Sequence, residues 1–545
     1  MARSIVIVGG GTAGWMTAAY LTRALGKGVQ ITVVESDRIQ TIGVGEATFS
    51  TVKLFFDFLG LEEQDWMPSC NAAYKLAIKF VDWTASRRHF YHPFQRYDVV
   101  DGFNLAEWWL KLKRGREPFD YACFTIPAIC DHERSPRFFD GRVFDDRAQQ
   151  LFDGEPTGRG GVLSEHKAQL PYAYHFDAGL LAAFLQDYAV RRGVRRIVDD
   201  VVGVELGEDG AILRLATREH GALGGELFVD CTGFRGLLIN QALGEPFVSF
   251  SRSLLCDSAV ALQVPADSAA EMEPYTTATA LAAGWVWKIP LYGRLGTGYV
   301  YASAFLSRER AEAELRRHLG PAADGCTANH IQMRIGRCRN SWVKNCVAIG
   351  LASGFVEPLE STGIFFIQHG IEELVSHLHF GAPDAEMIAS YNRAVAECID
   401  GVRDFLVLHY WGSDRADDAF WQATKRETAI PESLEPRLRL WKTRLPNPRN
   451  VNPCYHGFES YSYSVMLLGL GSPPVGSLPA LDYFDSRHAA EAFQAVKRKA
   501  ERLVAELPSQ YDYLTQMRAR ARGLDLPPQP APPRRAAQGA EVEAL

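Results

Sequence analysis

Six short stretches of this chain combine residue types and spacings that could do chemistry. Gly9-Gly10-Gly11-Thr12-Ala13-Gly14 has the GxGxxG spacing with which a strand-to-helix turn brings a pyrophosphate onto bare backbone. Glu35, closing the next apolar run, could hold a ribose hydroxyl. Gly43-Val44-Gly45-Glu46-Ala47-Thr48 is small enough to lie against a flat ligand. Between Tyr74 and Trp83, Lys75, Ala77 and Lys79 alternate with Leu76, Ile78 and Phe80, which predicts one strand with both lysines on one face. His89-Phe90-Tyr91-His92-Pro93-Phe94 gathers rings and imidazoles. Gly284-Trp285-Val286-Trp287-Lys288-Ile289-Pro290 predicts a strand with Trp285, Trp287 and Ile289 on one side. Pro358-Leu359-Glu360-Ser361-Thr362-Gly363-Ile364 sets an acid and two hydroxyls where a helix begins, and the free N–H groups of that end make an anion site.

Each stretch also has a plainer reading. Paired tryptophans usually wall a core, strand lysines are usually solvated, and Ser361 and Thr362 could simply cap a helix. A cap does not explain why two glutamates and a proline precede them.

The elements that must position these groups follow the same order. Ser4–Val8 reads as a buried strand, Trp15 to Leu25 as a helix, and Ile31–Glu35 as the second strand of a dinucleotide fold. Asp177 caps a predicted helix from Ala178 to about Arg192. Leu227–Gly233 and Cys346–Gly350 return to the nucleotide lobe, and Cys256 to Phe305 forms a second sheet. Beyond Asp400 the pattern is helical, with Phe405, His409, Tyr410 and Trp421 among the contact residues. Residues 1–425 form the nucleotide lobe with its inserted sheet, 426–523 a helix-rich covering lobe, and 524–545 a proline-rich disordered tail.

Composition removes several function classes. The chain has 545 residues, 47% of them hydrophobic, and a net charge of −7 without a basic run, which argues against a nucleic-acid surface. No apolar run suits a membrane span, and no cleavage pattern opens the chain, so a cytoplasmic protein is expected. The ten cysteines show no zinc spacing, so no metal is expected. HExxH, GxSxG and Walker motifs are absent, which leaves ordinary hydrolysis and phosphoryl transfer without a seat.

Taken together, the stretches resemble the flavin-dependent halogenases of the tryptophan halogenase family over roughly residues 3 to 425, with the WxWxIP signature complete in Trp285, Trp287, Ile289 and Pro290. The resemblance implies an α/β fold: an FAD-binding, Rossmann-like lobe, a substrate β-sheet and a C-terminal helix-rich lobe. It implies FAD contacts at Gly9, Gly11, Thr12, Ala13, Gly14, Glu35, Gly45, Glu46, Ala47, Gly350, Ser361 and Ile364. Thr362 and Gly363 would hold chloride, and Lys79 would receive the hypohalous acid made with reduced FAD and oxygen, as a haloamine or by hydrogen bonding. Glu360 would assist Lys79 and take the ring proton. Trp285 and Trp287 would keep substrate from the flavin, and His92, Phe94, Tyr455 and Glu459 would line the substrate site. With one dinucleotide fingerprint, reduced flavin would come from a separate NAD(P)H-dependent reductase, with chloride or bromide as co-substrate. A homodimer is also implied.

The resemblance weakens around Tyr455-His456-Gly457-Phe458-Glu459, where the family's paired tyrosines and Trp-Asn are missing. That departure predicts a weak grip on a free amino acid and leaves indole, another aromatic or a peptide-borne tryptophan open as substrate. The rival readings are an FAD-dependent aromatic hydroxylase and a flavin-binding protein without activity. Hydroxylases commonly carry Gly-Asp where this chain has Gly350-Leu351.

Overall fold

Apolar strands of the first lobe stack side by side in a computed structural model that describes residues 3–38, 45–86, 88–145, 170–266, 272–379, 384–452 and 454–524. Gly43, Val44 and all but the first residue of the expected tail lie outside the described residues. Arg3–Val8 pairs in parallel with Val29–Glu35 on one side and Leu227–Asp230 on the other. Arg195–Val198 and Cys346–Ala348 extend the parallel sheet, and Trp342–Val343 closes it antiparallel. Ile5, Ile7, Val33 and Val229 are wholly buried, as strands covered on both faces require. Helix Thr12–Leu25 leaves the first strand at the glycine turn, so the strand ends at Val8, Glu35 and Asp230 open toward one crevice.

A seven-stranded sheet forms the second lobe. Its order is Asn329–Gln332, Ser258–Pro265, Arg294–Tyr301, Gly284–Leu291, Tyr275–Leu281, Ala77–Val81 and His89–Pro93. Only the Tyr275–Leu281 to Ala77–Val81 pairing is parallel. The Cys256–Phe305 sheet is therefore present but wider than expected, because two strands from early in the chain join one edge and Asn329–Gln332 joins the other.

The expected single strand from Tyr74 to Trp83 is two strands. Ala73–Lys75 pairs with Ala173–Phe176, whereas Ala77–Val81 belongs to the seven-stranded sheet. The break falls at Leu76, whose N–H bonds the carbonyl of Pro274 at 2.7 Å and whose carbonyl accepts from Phe94 N–H at 2.9 Å. The two lysines do not share an environment: Lys75 is wholly buried, and the Lys79 side chain remains 19% exposed.

Helix Ala178–Val190 begins as predicted, with Asp177 accepting from the N–H groups of Gly179 and Leu180. Helix Gly363–His377 packs against Thr12–Leu25 and against helix Ala385–Gly412, which brings the His409 ring to 5.4 Å from Phe80 in the second sheet. The C-terminal helices Ser460–Gly469, Ser486–Glu506 and Gln510–Ala521 add Tyr463, Met466, Phe493 and Leu514 to one continuous buried cluster that also holds Ile5, Phe49, Trp285 and Phe405. Among the described residues no helix is long and apolar enough to cross a membrane.

Candidate active site

The crevice at the strand ends is a cavity of about 1020 Å³. Gly9, Gly11, Thr12, Ala13, Glu35, Gly45, Glu46, Ala47, Gly350, Ser361 and Ile364 all line it. Gly14 stands behind the wall: a Cβ there would come within 1.8 Å of the Gly9 carbonyl oxygen, so only glycine lets helix and turn pack. At Gly10 a Cβ would sit 1.6 Å from the Glu35 carboxylate. Glu35 is held at the edge by Arg196 and by the Trp15 indole N–H at 3.1 Å. Trp287 and Ile289 form the opposite wall, and the Trp287 indole N–H is buried without a partner, a donor left for a bound group. Bare backbone, an acid for a ribose and an unpaired donor on an apolar wall together fit a flavin dinucleotide. Trp285 is not part of that wall. It is buried behind Trp287, and its N–H bonds Glu357 at 3.2 Å.

At its deep end the cavity meets the Pro358–Ile364 loop. Pro358–Glu360 is a single 3-10 turn, Ser361 takes a left-handed backbone with φ of 61°, and helix Gly363–His377 starts two residues later. A left-handed serine is strained, and such positions persist where the surroundings fix them. Here the left-handed residue joins the 3-10 turn directly to the helix N-terminus, and the Ser361 hydroxyl accepts from Lys75 Nζ at 2.8 Å.

Lys75 also donates to the Thr48 carbonyl at 3.0 Å and lies 5.1 Å from the centre of the Phe94 ring. Burial lowers its amine from 10.5 to about 7, against the charge of Glu360, which favours the protonated form. Glu360 is buried and gripped by two imidazoles: His92 Nδ1 lies 3.1 Å from both its oxygens, and His409 Nε2 lies 2.7 Å from one. The other His409 nitrogen faces the Phe405 carbonyl at 2.7 Å, so satisfying both contacts takes a proton on each ring nitrogen. Burial alone would raise the Glu360 carboxyl, but the charge of His92 and the hydrogen bonds from both histidines hold it at about 2.

The sequence profile described as tryptophan halogenase matches residues 4–151 and 154–486. The chain belongs to the tryptophan halogenase family. Tryptophan 6-halogenase SttH of Streptomyces toxytricini is 54% identical over 94% of this chain and 98% of its own length. The 7-chloro-L-tryptophan 6-halogenase KtzR of Kutzneria is also 54% identical, over 96% of this chain and 100% of its own. The solved structure of Tar14, a tryptophan C-6 flavin-dependent halogenase (chlorinase) from taromycin biosynthesis, superposes with a TM-score of 0.88 at 53% identity, covering 95% of this chain and 100% of that one.

In this halogenase the lysine that reaches Ser361 and senses Glu360 is Lys75, not Lys79. Lys79 Nζ lies 3.8 Å from Asp131 and packs over the rings of Tyr91 and Tyr275 at 5.0 and 5.5 Å. The strand break at Leu76 is the physical reason, because it gives the two lysines different sheets. Nothing in the local sequence separates them, since both follow an aromatic or apolar residue in the same alternation.

The expected substrate residues divide into three groups. His92 holds Glu360, and Phe94 packs beside Lys75 within a ring cluster in which Phe49 lies 5.9 Å from Phe94 and 5.3 Å from Phe458. Tyr455 packs among Phe365 and His369 at 5.8 Å from each. Glu459 lies at a partly exposed rim, ion-paired through both oxygens with Arg96, a residue the sequence did not single out. His456 is buried and bonded to the Cys454 carbonyl and the Tyr463 hydroxyl, each at 2.7 Å, so it serves the fold of the segment.

Proposed function

We propose that this chain halogenates the indole ring of free tryptophan, at carbon 6, with Lys75 carrying the halogen. The carrying observation is Lys75 itself: a wholly buried amine beside Ser361 on the cavity wall, with Phe94 and the Glu360 carboxylate as its other neighbours. FAD, held by the glycine turn and Glu35 and delivered reduced by a separate reductase, would supply oxidising power to convert chloride or bromide to a hypohalous acid. The N–H groups of Thr362 and Gly363, at the start of helix Gly363–His377, hold the halide.

A neutral amine has two N–H donors and one lone pair, and the two donors of Lys75 are taken by Thr48 and Ser361. The lone pair is left to take the halogen as the O–X bond of the hypohalous acid breaks, and one amine proton passes to the departing hydroxide as water, giving an N-haloamine. The ring carbon then takes the halogen, and its proton passes by way of Glu360 to the Lys75 nitrogen.

The substrate assignment draws on the printed activities of the two relatives at 54% identity and on the rim pair. Arg96 and Glu459 offer opposite charges side by side, which suits an α-carboxylate and an α-ammonium. Supplied with reduced FAD, oxygen and chloride, Lys75→Ala is expected to consume reduced flavin yet lose at least about a thousandfold in halogenation, whereas Lys79→Ala stays within about threefold of wild type. Mass analysis of the product reads both. Equal losses in the two variants, or none in Lys75→Ala, sink the assignment.

A further inference from the structure

Glu357, three residues before Glu360, is wholly buried. One of its oxygens accepts the indole N–H of Trp285 at 3.2 Å and the hydroxyl of Tyr410. Tyr410 follows His409 on helix Ala385–Gly412, and His409 grips Glu360 at 2.7 Å. Two adjacent residues of one helix thus hold two carboxylates of one loop. Trp285 ties the first of these carboxylates to the strand that also carries Trp287, the cavity wall. Beyond the double grip the chain has only the strained Ser361 and Thr362 before the helix N-terminus at Gly363.

We propose that Glu357 is a positioning residue, which locks the Pro358–Gly363 loop between the WxWxIP strand and helix Ala385–Gly412. In this arrangement the first tryptophan of the signature acts as a strut through Glu357, and only the second faces the cavity. The physical case is that Ser361 cannot hold its left-handed backbone by itself, and Lys75 needs the Ser361 hydroxyl and the Glu360 charge at fixed places. Burial raises Glu357 to about 7, while the hydrogen bonds from Tyr410 and Trp285 act to keep it charged, so each donor removed weakens the anchor. Glu357 touches neither the cavity nor Lys75 and acts only through the loop it holds.

The proposal rests on the roles given above to Lys75 and Glu360, and its test separates the two. Tyr410→Phe removes one donor and keeps the ring, Trp285→Phe removes the other donor together with the pyrrole ring, and Glu357→Gln keeps an acceptor. In the flavin-free protein, amide hydrogen exchange over residues 358–364 is expected to quicken at least about tenfold in both Phe variants, with helix Thr12–Leu25 unchanged. In the flavin-loaded enzyme kcat should fall about a hundredfold in both Phe variants with KM for tryptophan within about twofold, and Glu357→Gln, which keeps an acceptor for both donors, should lose less. Trp285→Phe and Tyr410→Phe combined should cost less than the sum of the two alone. Unchanged exchange over 358–364, exchange quickened evenly along the chain, or retained kcat would each overturn the strut. Halogenation by Lys75→Ala would instead overturn the function on which it rests.

Discussion

Lys75 shows how one side chain can be set for two tasks by burial alone. An amine lowered from 10.5 to about 7 is substantially neutral at the pH of a cell, so its lone pair is available without a separate base. The same shift is a stability statement. Between the two values the unfolded chain binds a proton that the folded one does not, so stability rises with pH from about 7 to 10.5. The burden is complete below 7 and gone above 10.5. Lys75→Met, which keeps the volume without the charge, should therefore gain most over wild type near pH 6, on the order of 3 kcal/mol relative to its standing near pH 10. Urea unfolding at the two pH values measures this, and a pH-independent difference would mean that Lys75 is not buried as an amine. The histidines carry less of the titration argument, because Glu360 is already held charged well below neutral pH. At this scale the sequence was half legible. The resemblance implied that Glu360 works with Lys79, whereas the structure sets Lys75 beside Ser361, because Lys75 and Lys79 differ in which sheet their backbone joins.

Elements supply what residues cannot. The glycine turn, the helix behind it and the acid-tipped second strand were readable because their pattern is local and each residue has a backbone reason to be there. The sheet around Trp285 was legible as strands but not as a complete sheet, because Ala77–Val81, which brings its neighbour His89–Pro93 with it, pairs with Tyr275–Leu281 nearly two hundred positions away, and no local periodicity encodes that. The loop between the two lobes presents a trade between stability and function that can be measured. Ser361 has φ of 61° and also gives Lys75 an acceptor. Ser361→Ala loses the acceptor and keeps the strain, whereas Ser361→Gly loses both. The glycine variant should be the more stable of the two by about 1 kcal/mol, while both lose kcat alike, by about tenfold or more. If the two variants are equally stable, the left-handed backbone carries no strain. If alanine retains kcat, the hydroxyl does not serve the lysine.

Across the whole molecule, the substrate end of the site is assembled from opposite ends of the chain. Arg96 follows the His89–Pro93 strand, and Glu459 opens helix Ser460–Gly469. Tyr461 is close enough to feel the charges of Glu459, Arg96 and Glu360 together, so the rim pair and the proposed ring base belong to one region. With side-chain exposures of 54% and 42%, the pair contributes little to stability, about 1 kcal/mol or less, and can open cheaply. On the proposed reading a free amino acid entering between them would replace one ion pair by two, its carboxylate on Arg96 and its ammonium on Glu459. On the same reading this pair would stand in for the family's paired tyrosines and Trp-Asn. Tryptophan should accordingly exceed indole and its own N-acetyl amide in kcat/KM by about a hundredfold, near 2.7 kcal/mol. Arg96→Met should lower kcat/KM for tryptophan and indole-3-propionate about tenfold or more without touching tryptamine, and Glu459→Gln should lower it for tryptophan and tryptamine without touching indole-3-propionate, leaving indole unchanged in both. Calorimetric binding of the same ligands to the flavin-free protein gives the same comparison without turnover. If both variants weaken every ligand equally, the pair only staples the two segments together, and the amino-acid end is read elsewhere.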